Sequence, residues 1–361
     1  MKGARQLVMT ASAEFAATAL EEIEQAMPGT EVLAELDPGV YWIALPGPWE
    51  LLSEAWQAHP PVFVRHICPV DDTAPAAGAD DDICTLVDHV ARFYGAMDPM
   101  HTFSVQTRIF GTASYRPYHI NQALAEAIQY HTGATLDVRQ PEQIVSVVIA
   151  TALPGRSGVG LIGLSTGEEN LSDWAGGMRR FARERGQISR SEFKLLEAME
   201  IFRITLPTHG IALDLGAAPG GWTRILRQLG LYVTAVDTAD LDPRLRGDRG
   251  IRYRRMTAQA YLKSGPDTYD VIFNDMRMDA RDSARLMVEF APYLHPDGLA
   301  LITLKLPGRR AKETLQHALN ILAEAYEIAG VRQLFHNRRE VTALLRPKRG
   351  QETPAARDER R

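Results

Sequence analysis

The second half of the chain alternates short apolar runs with longer stretches whose apolar positions recur at helical spacing. The apolar runs predict strands at residues 211–215, 231–236, 251–255, 270–275 and 298–305. Strands that alternate with helices form a parallel sheet covered by helices on both faces. This half therefore predicts a doubly wound α/β sheet. A helix from Ser189 to about Phe202, opened by a Ser-x-x-Glu capping box, precedes it, and a strand pair ending at Leu345 closes it.

The first half mixes strand-like and helix-like segments without regular alternation, which predicts an α+β region. Predicted strands fall at residues 6–12, 31–35, 40–45, 62–67, 103–108, 144–151 and 158–164. Predicted helices fall at residues 13–27, 49–57, 83–94 and 118–131. Residues 71–82, rich in Ala, Asp and Pro, predict a linker or an exposed loop.

These patterns divide the chain into five predicted parts. They are a small α+β domain (1–70), a second α+β unit (81–165), a linker (166–188), the α/β domain (189–346) and a polar, disordered tail (347–361).

Composition narrows the class of protein. At 361 residues and 45% apolar, the chain is globular and long enough for two or three domains. No stretch approaches the roughly 20 apolar residues of a transmembrane helix, so we expect no membrane partner. Two cysteines, Cys68 and Cys84, are too few for a disulfide framework or a zinc site, which predicts a reducing, cytoplasmic location. The number of subunits does not follow from the sequence, and a monomer is assumed.

Charge is distributed unevenly along the chain. Residues 1–170 carry 8 Lys and Arg against 21 Asp and Glu, a net charge of −13, whereas the remainder carries 32 against 24, a net charge of +8. A polyanionic partner is therefore expected on the second half. Two roles stay open for the acidic first half. It contacts a polyanion through a small basic patch of Arg108, Arg116 and Arg139, or it acts mainly as a positioning scaffold.

The segment Asp-Leu-Gly-Ala-Ala-Pro-Gly-Gly-Trp-Thr, residues 214–223, stands between a predicted strand and a predicted helix. This arrangement brings a nucleotide-like ligand against backbone N–H groups at a helix N-terminus. The letters differ from the Gly-x-Gly-x-x-Gly pattern of dinucleotide sites, and Asp214 would repel a pyrophosphate. S-adenosylmethionine, which carries a sulfonium, an ammonium and a ribose, fits these features.

A second carboxylate supports that interpretation. Asp237 ends the next predicted strand, 21 positions after Gly216, close to the spacing at which an acid binds ribose hydroxyls. A nicotinamide-dependent oxidoreductase would share the sheet but would need the missing glycine pattern.

Four charged residues are predicted near the carboxyl ends of strands or beside them. Asp275 and Lys305 end strands, Glu340 begins the last strand, and Lys194 lies on the helix that precedes the sheet. A lysine at the end of an apolar strand is costly unless acidic partners face it.

The chain resembles the FtsJ-like family of RNA ribose 2′-O-methyltransferases. The resemblance rests on Ser-Arg-Ser-Glu-Phe-Lys-Leu (189–195), on the glycine-rich turn, and on Asn-Asp-Met (274–276), Leu-Lys-Leu-Pro (304–307) and Arg-Glu-Val-Thr (339–342). Within the family it is most similar to a group that methylates a cytidine of 23S rRNA. The catalytic resemblance covers about residues 189–346, and residues 81–165 resemble a THUMP module, an RNA-binding α/β unit.

The resemblance implies a fold, a cofactor and site residues. The fold is a Rossmann-like S-adenosylmethionine-dependent methyltransferase domain preceded by the α+β region with its THUMP-like module. The implied catalytic tetrad is Lys194, Asp275, Lys305 and Glu340. The expected cofactor-binding residues are Asp214, Gly216, Ala217, Pro219, Gly220, Gly221, Trp222, Asp237, Thr257 and Asp275. Thr257 stands where the family has an acid that contacts adenine.

The 2′-hydroxyl is a weak nucleophile that must lose its proton as it attacks. We hypothesise that Lys305 accepts this proton, that Asp275 orients its amine, that Lys194 holds the ribose or a phosphate, and that Glu340 orients a lysine. The RNA, expected to be rRNA, would be bound by Arg179, Arg180, Arg183, Arg309, Arg310, Lys312, Arg338 and Arg339. Two alternatives stay open: the same chemistry on another rRNA or tRNA nucleotide, and an RNA-binding assembly protein with a vestigial cofactor pocket.

Overall fold

The computed structural model describes residues 5–348, apart from the side chain of Arg309. The chain forms two compact units, Met1–Arg179 and Arg180–Arg361. Pro347 is the last residue of a strand, and residues 349–361 of the predicted tail lie outside the described residues.

The N-terminal unit contains two four-stranded sheets. The first sheet is antiparallel in the order β2-β3-β1-β4. Its strands are β1 (Gln6–Ala11), β2 (Glu31–Asp37), β3 (Val40–Ala44) and β4 (Val64–Pro69), and its helices are α1 (Ala16–Ala26) and α2 (Trp49–Ala58).

The second sheet has the order β5-β8-β7-β6, with β6 and β7 parallel and the other pairs antiparallel. Its strands are β5 (Asp72–Pro75), β6 (Phe103–Phe110), β7 (Gln143–Leu153) and β8 (Arg156–Ser165), and its helices are α3 (Asp82–Val90) and α4 (Pro117–Thr132). Phe93, Phe103 and Leu124 belong to the core that these helices form against the sheet.

Within residues 71–82, predicted as a linker or an exposed loop, residues 72–75 form a strand, which corrects the prediction for these four residues. This strand is the edge strand β5, which pairs with β8. The Asp82 carboxylate accepts hydrogen bonds from the backbone N–H groups of Ala77 and Gly78 at 3.2 and 2.7 Å and from the Tyr115 hydroxyl at 2.5 Å. A composition typical of loops is compatible with a strand here because an edge strand leaves one side of its backbone unpaired.

Arg108 does not share an exposed face with Arg116 and Arg139. Its guanidinium donates to the Thr10 hydroxyl at 2.9 Å and lies 4.7 Å from the centroid of the Phe110 ring. Arg108 lines a small internal pocket with His66 and other polar residues, whereas Arg116 and Arg139 are exposed. Burial, aided by Arg108, lowers the pKa of His66 to about 3.

The C-terminal unit is a seven-stranded mixed sheet in the order β11-β10-β9-β12-β13-β15-β14. Its strands are β9 (Ile211–Leu215), β10 (Tyr232–Asp237), β11 (Ile251–Arg255), β12 (Tyr269–Asn274), β13 (Leu294–Lys305), β14 (Tyr326–Arg332) and β15 (Glu340–Pro347). Its helices are α5 (Glu192–Ile201), α6 (Gly221–Gln228), α7 (Ala258–Lys263), α8 (Ala280–Phe290) and α9 (Ala311–Leu322).

Five neighbouring strands of this sheet, β11 to β13 in the strand order, are parallel, and β15 runs antiparallel to both β13 and β14. The prediction of an α/β unit is confirmed. The strand order reverses between β9 and β12, and ligands of open α/β sheets bind outside the carboxyl ends of strands at such a point. Among helices of the described residues, none has the length and hydropathy that a membrane crossing requires.

The ordered segment before α3 generates a stability prediction. Gly78 has a φ of +91°, and a Cβ there would lie 2.4 Å from the carbonyl oxygen of Thr112. We expect Gly78→Ala to lower the free energy of unfolding of the N-terminal unit by about 2–4 kcal/mol, from left-handed strain and overpacking together.

The control is Gly133→Ala, which has a φ of +76° and nothing within 4 Å of the new Cβ. It should show the backbone strain alone, about 1–2 kcal/mol. Urea unfolding followed by circular dichroism measures both variants; equal effects would contradict the close packing of Gly78.

Candidate active site

The glycine-rich turn joins β9 to α6 at the reversal of strand order. Gly216 and Gly220 adopt φ values of +77° and +111°. A Cβ on Gly216 would lie 2.6 Å from Met276 Cγ, and one on Gly220 would lie 2.2 Å from Leu245 Cδ1. The turn thus needs glycine at both positions, for backbone conformation and for space. The intervening bond between Ala218 and Pro219 is cis.

Asp237, the last residue of β10, holds the turn in place. Its carboxylate accepts hydrogen bonds from the Ala218 N–H at 3.0 Å and from the Ala239 N–H at 2.8 Å. The side chain is half-buried. A carboxylate accepts about four hydrogen bonds, so its oxygens retain capacity for ligand hydroxyls.

Asp214 and Trp222 lie inside the domain. Asp214 is 1% exposed, and its carboxylate accepts a hydrogen bond from the Thr223 hydroxyl at 2.6 Å. Burial, together with the carboxylates of Asp275 and Asp237, raises the pKa of Asp214 to about 7 against the opposing Thr223 bond. Trp222 is buried, and its indole N–H donates to the Ser191 carbonyl at 2.7 Å. Both residues therefore stabilise the turn from the interior of the domain.

Thr257 has a structural role at the start of α7. Its hydroxyl accepts a hydrogen bond from the Ala260 N–H at 3.1 Å and caps the helix. Its place in a cofactor site stays a prediction.

The four predicted catalytic residues come together from four elements. Lys305 ends β13 and is the direct cross-strand partner of Glu340, which begins β15. Asp275 follows β12, the neighbour of β13, and Lys194 lies in the first turn of α5. Strand register and helix docking thus determine which side chains meet.

The two lysines and two carboxylates form a closed ring, which we call the charged ring. Lys305 Nζ lies 2.8 Å from Asp275 Oδ1 and also pairs with Glu340. Lys194 Nζ lies 3.3 Å from Asp275 Oδ1 and also pairs with Glu340. The side chains are between 7% and 24% exposed. Each charge has two opposite neighbours, and the ring has no net charge.

Ionisation follows from this geometry. Burial by itself lowers the pKa of Lys194, but the carboxylates of Asp275 and Glu340 outweigh it and the pKa is raised. Burial by itself raises the pKa of Asp275, but Lys305 and Lys194 outweigh it and the pKa is lowered. Lys194 and Asp275 are therefore charged at neutral pH.

Thr303 is a fifth polar residue at the ring that the sequence reasoning missed. Its hydroxyl donates to Asp275 Oδ1 at 2.6 Å and accepts from Lys305 Nζ at 2.8 Å. A signal was present, because residues two apart on a strand share a face and Thr303 is two before Lys305.

The start of α5 is fixed against the turn. Glu192 accepts from the backbone N–H groups of Ile188 and Ser189 at 2.6 and 3.2 Å and from Arg224 of α6 at 2.7 Å. The predicted capping box forms only on its Glu192 side, since the Ser189 hydroxyl bonds to the Ser191 hydroxyl at 2.6 Å and α5 begins at Glu192. Gly221 of the turn approaches this start closely, since a Cβ added there would lie 2.3 Å from Ser189 Oγ.

Glu197, also missed by the sequence reasoning, fixes α5 on its other side. It is 3% exposed and accepts hydrogen bonds from the backbone N–H groups of Phe335 at 2.7 Å and His336 at 2.9 Å. The segment before β15, which carries Glu340, is thereby tied to the helix that carries Lys194. The residue types alone give no signal for such a long-range contact.

The predicted RNA-binding residues differ in setting. Arg179 belongs to the N-terminal unit, where its guanidinium lies 4.2 Å from the Trp174 ring centroid. The exposed members, all in the C-terminal unit, are Arg180, Arg183, Arg310, Lys312, Arg338 and Arg339. The side chain of Arg309 lies outside the described residues. RNA binding by this set stays a prediction.

Comparison with protein families gives a match to part of the chain. Residues 187–320 match the family model described as FtsJ-like methyltransferase. This range includes the turn, Lys194, Asp275 and Lys305, and it ends before Glu340.

Two curated relatives match about half of the chain. A ribosomal RNA large subunit methyltransferase M from Halorhodospira halophila is 37% identical over 179 residues, covering 48% of this chain and 51% of the relative. One from Alkalilimnicola ehrlichii is 38% identical over 186 residues, covering 49% and 51%. The chain thus spans about half the length of the curated relatives it matches.

Among solved structures, the crystal structure of TrmN from Thermus thermophilus covers 95% of this chain and 99% of its own, at 18% identity and a TM-score of 0.37. The likeness to this family rests on the sequence matches, and the family model covers the segment that carries the turn and three residues of the charged ring. Over residues 187–320 the chain is therefore similar to the FtsJ-like methyltransferases.

Proposed function

We propose that this protein transfers a methyl group from S-adenosylmethionine to the 2′-hydroxyl of a ribose in RNA, with a cytidine of 23S rRNA as the acceptor. The observation that carries the proposal is the charged ring, which lies where β12 and β13 end. Ligands of open α/β sheets bind at this end.

The donor site fits the residues present. Gly216 and Gly220 adopt positive φ values that other residues rarely adopt, and this backbone conformation shapes the turn that follows the carboxyl end of β9. Asp237 would accept hydrogen bonds from ribose hydroxyls. When bound, S-adenosylmethionine supplies a methyl group activated by its sulfonium. Asp214 and Trp222 would act through the shape of the turn.

Proton transfer would fall to Lys305. Its amine is bonded to Asp275, Thr303 and Glu340, and this set of partners fixes its position. Lys305 would first release its own proton to solvent water, and the lone pair of the neutral amine would then accept the proton of the 2′-hydroxyl as the ribose oxygen bonds to the methyl group. Asp275 and Thr303 would orient the amine. An amine held in position by three hydrogen bonds lowers the entropy cost of the transfer.

Lys194 would hold the acceptor ribose or a neighbouring phosphate, because its charge is maintained by two carboxylates. Glu340 touches both lysines and would set the distance between them.

The proposal also covers the identity of the acceptor RNA and the roles of the remaining regions of the chain. The names of the curated relatives support large-subunit rRNA. The exposed arginines of the C-terminal unit would bind its backbone. Residues 81–165 would be the THUMP-like RNA-binding module, and we propose a cytoplasmic monomer.

Lys305→Arg tests proton acceptance. Arginine keeps the positive charge between Asp275 and Glu340 but remains protonated and cannot accept the proton. We expect single-turnover methyl transfer to unmodified 23S rRNA to fall by about 100- to 10,000-fold. Affinity for S-adenosylmethionine, measured by calorimetry, should change little.

The matched control is Lys263→Arg, the same exchange at an exposed lysine that ends α7 and lies outside the predicted RNA-binding set. It should retain the wild-type rate. A Lys305→Arg enzyme that transfers methyl groups at the wild-type rate would remove proton acceptance by Lys305 from the mechanism.

Asp237→Ala tests the ribose end of the donor site. Loss of hydrogen bonds to a carboxylate should weaken S-adenosylmethionine binding by about 10- to 100-fold. RNA affinity in a filter-binding measurement should stay unchanged. The neighbouring exposed Asp240→Ala is the control, and equal affinities for the two variants would refute the assignment of Asp237.

Asp214→Asn tests the buried carboxyl. The pKa of Asp214 is about 7 in the folded protein, against an ordinary value of 3.8 for an aspartate. The stability that this carboxyl contributes is therefore present below about pH 4 and is lost as pH rises through 7. Asparagine cannot ionise but still accepts from Thr223. We expect the variant's free energy of unfolding, minus that of wild type, to increase from pH 5 to pH 7 and to level off above.

Urea unfolding at pH 5, 6, 7 and 8 measures this difference, with Asp240→Asn as the exposed control. A difference that does not vary with pH would show that the Asp214 carboxyl ionises as it does in the unfolded chain.

A further inference from the structure

Three partly exposed aromatic rings lie together, and two of them belong to segments that also carry residues of the charged ring. Phe181 and Phe193 stack with centroids 5.6 Å apart and an interplanar angle of 16°. His336 lies 5.7 Å from Phe181 and 5.2 Å from Phe193. All three are half-buried, and we call them the aromatic platform.

The platform is built into the same elements as the charged ring. Phe193 directly precedes Lys194 on α5, and His336 lies in the segment that leads to Glu340. Glu197, one helical turn after Phe193 and on the same face, binds the backbone N–H of His336 at 2.9 Å. The ring of His336 is thus held against α5 through its own backbone.

The chain on either side of each platform residue is basic. Exposed arginines stand close to each ring in the chain: Arg180 and Arg183 around Phe181, Arg190 before Phe193, and Arg338 and Arg339 after His336. Aromatic faces rimmed by guanidinium groups suit unpaired nucleotides, whose bases stack while their phosphates pair with the cations. An apolar protein segment would use the rings but would leave these charges uncompensated.

We propose that Phe181, Phe193 and His336 stack a nucleobase of single-stranded RNA, at or next to the nucleotide whose ribose reaches the charged ring. This inference rests on the proposed function and adds to it a base-binding surface. Because every base has a stacking face, the platform would position the acceptor without reading its sequence.

The test compares two ligands of equal charge: a 12-nucleotide single-stranded RNA and an oligomer of the same length and backbone that lacks bases. Fluorescence anisotropy at low salt measures binding to wild type, Phe181→Ala, His336→Ala and His336→Tyr. Phe181 lies outside any helix or strand, so its truncation leaves the secondary structure in place. Thermal unfolding of each variant checks this.

We expect wild type to bind the RNA about tenfold or more tightly than the base-free oligomer. Phe181→Ala and His336→Ala should lose most of that preference, with base-free binding unchanged, and His336→Tyr should retain it. The matched control is Tyr232→Ala, an exposed aromatic at the start of β10 and so at the opposite end of the sheet, which should behave as wild type.

Full base preference in Phe181→Ala and His336→Ala would refute base stacking by the platform and would show that its rings serve only packing. A wild type that methylates RNA without any base preference would overturn it too, while the proposed function stands. A wild type that neither binds nor methylates RNA would refute the proposed function and the platform together.

Discussion

The closed ring of Lys194, Asp275, Lys305 and Glu340 is the constraint on which the rest of the site depends. Four charges that are at most 24% exposed are stable only if each has opposite partners, and here each has two. Removal of one member would leave an uncompensated charge. The sheet and α5 must therefore place all four side chains within contact distance at once.

Strand register places three of the four side chains, and separate contacts of α5 place the fourth. The antiparallel register sets Lys305 opposite Glu340, and the parallel neighbour β12 brings Asp275 to the same edge. Lys194 comes from outside the sheet and needs its own anchors. Glu192 and Glu197 supply them, since one binds Arg224 of the helix after the turn and the other binds the segment before β15.

The sequence predicted the elements of the second half well because buried parallel strands leave a plain signal of short apolar runs. It also indicated Asp275, Lys305 and Glu340, since charges at the ends of strands stand out, whereas Lys194, on a helix, was assigned through the family resemblance. Residues 72–75 were assigned wrongly because the pairing of an edge strand with β8 depends on a distant segment. Glu197 could not be found for the same reason, as its partners lie 138 and 139 positions away.

Helix α5 connects features that the chain encodes far apart. Within less than two turns, Glu192 faces the glycine-rich turn, Lys194 enters the charged ring, and Phe193 and Glu197 meet the segment at His336. A rigid helix cannot move one of these contacts without moving the others. Substitutions at the glycine-rich turn, the charged ring and the aromatic platform should therefore be coupled through α5. Their effects on the free energy of unfolding should not be additive, unlike those of distant, independent sites.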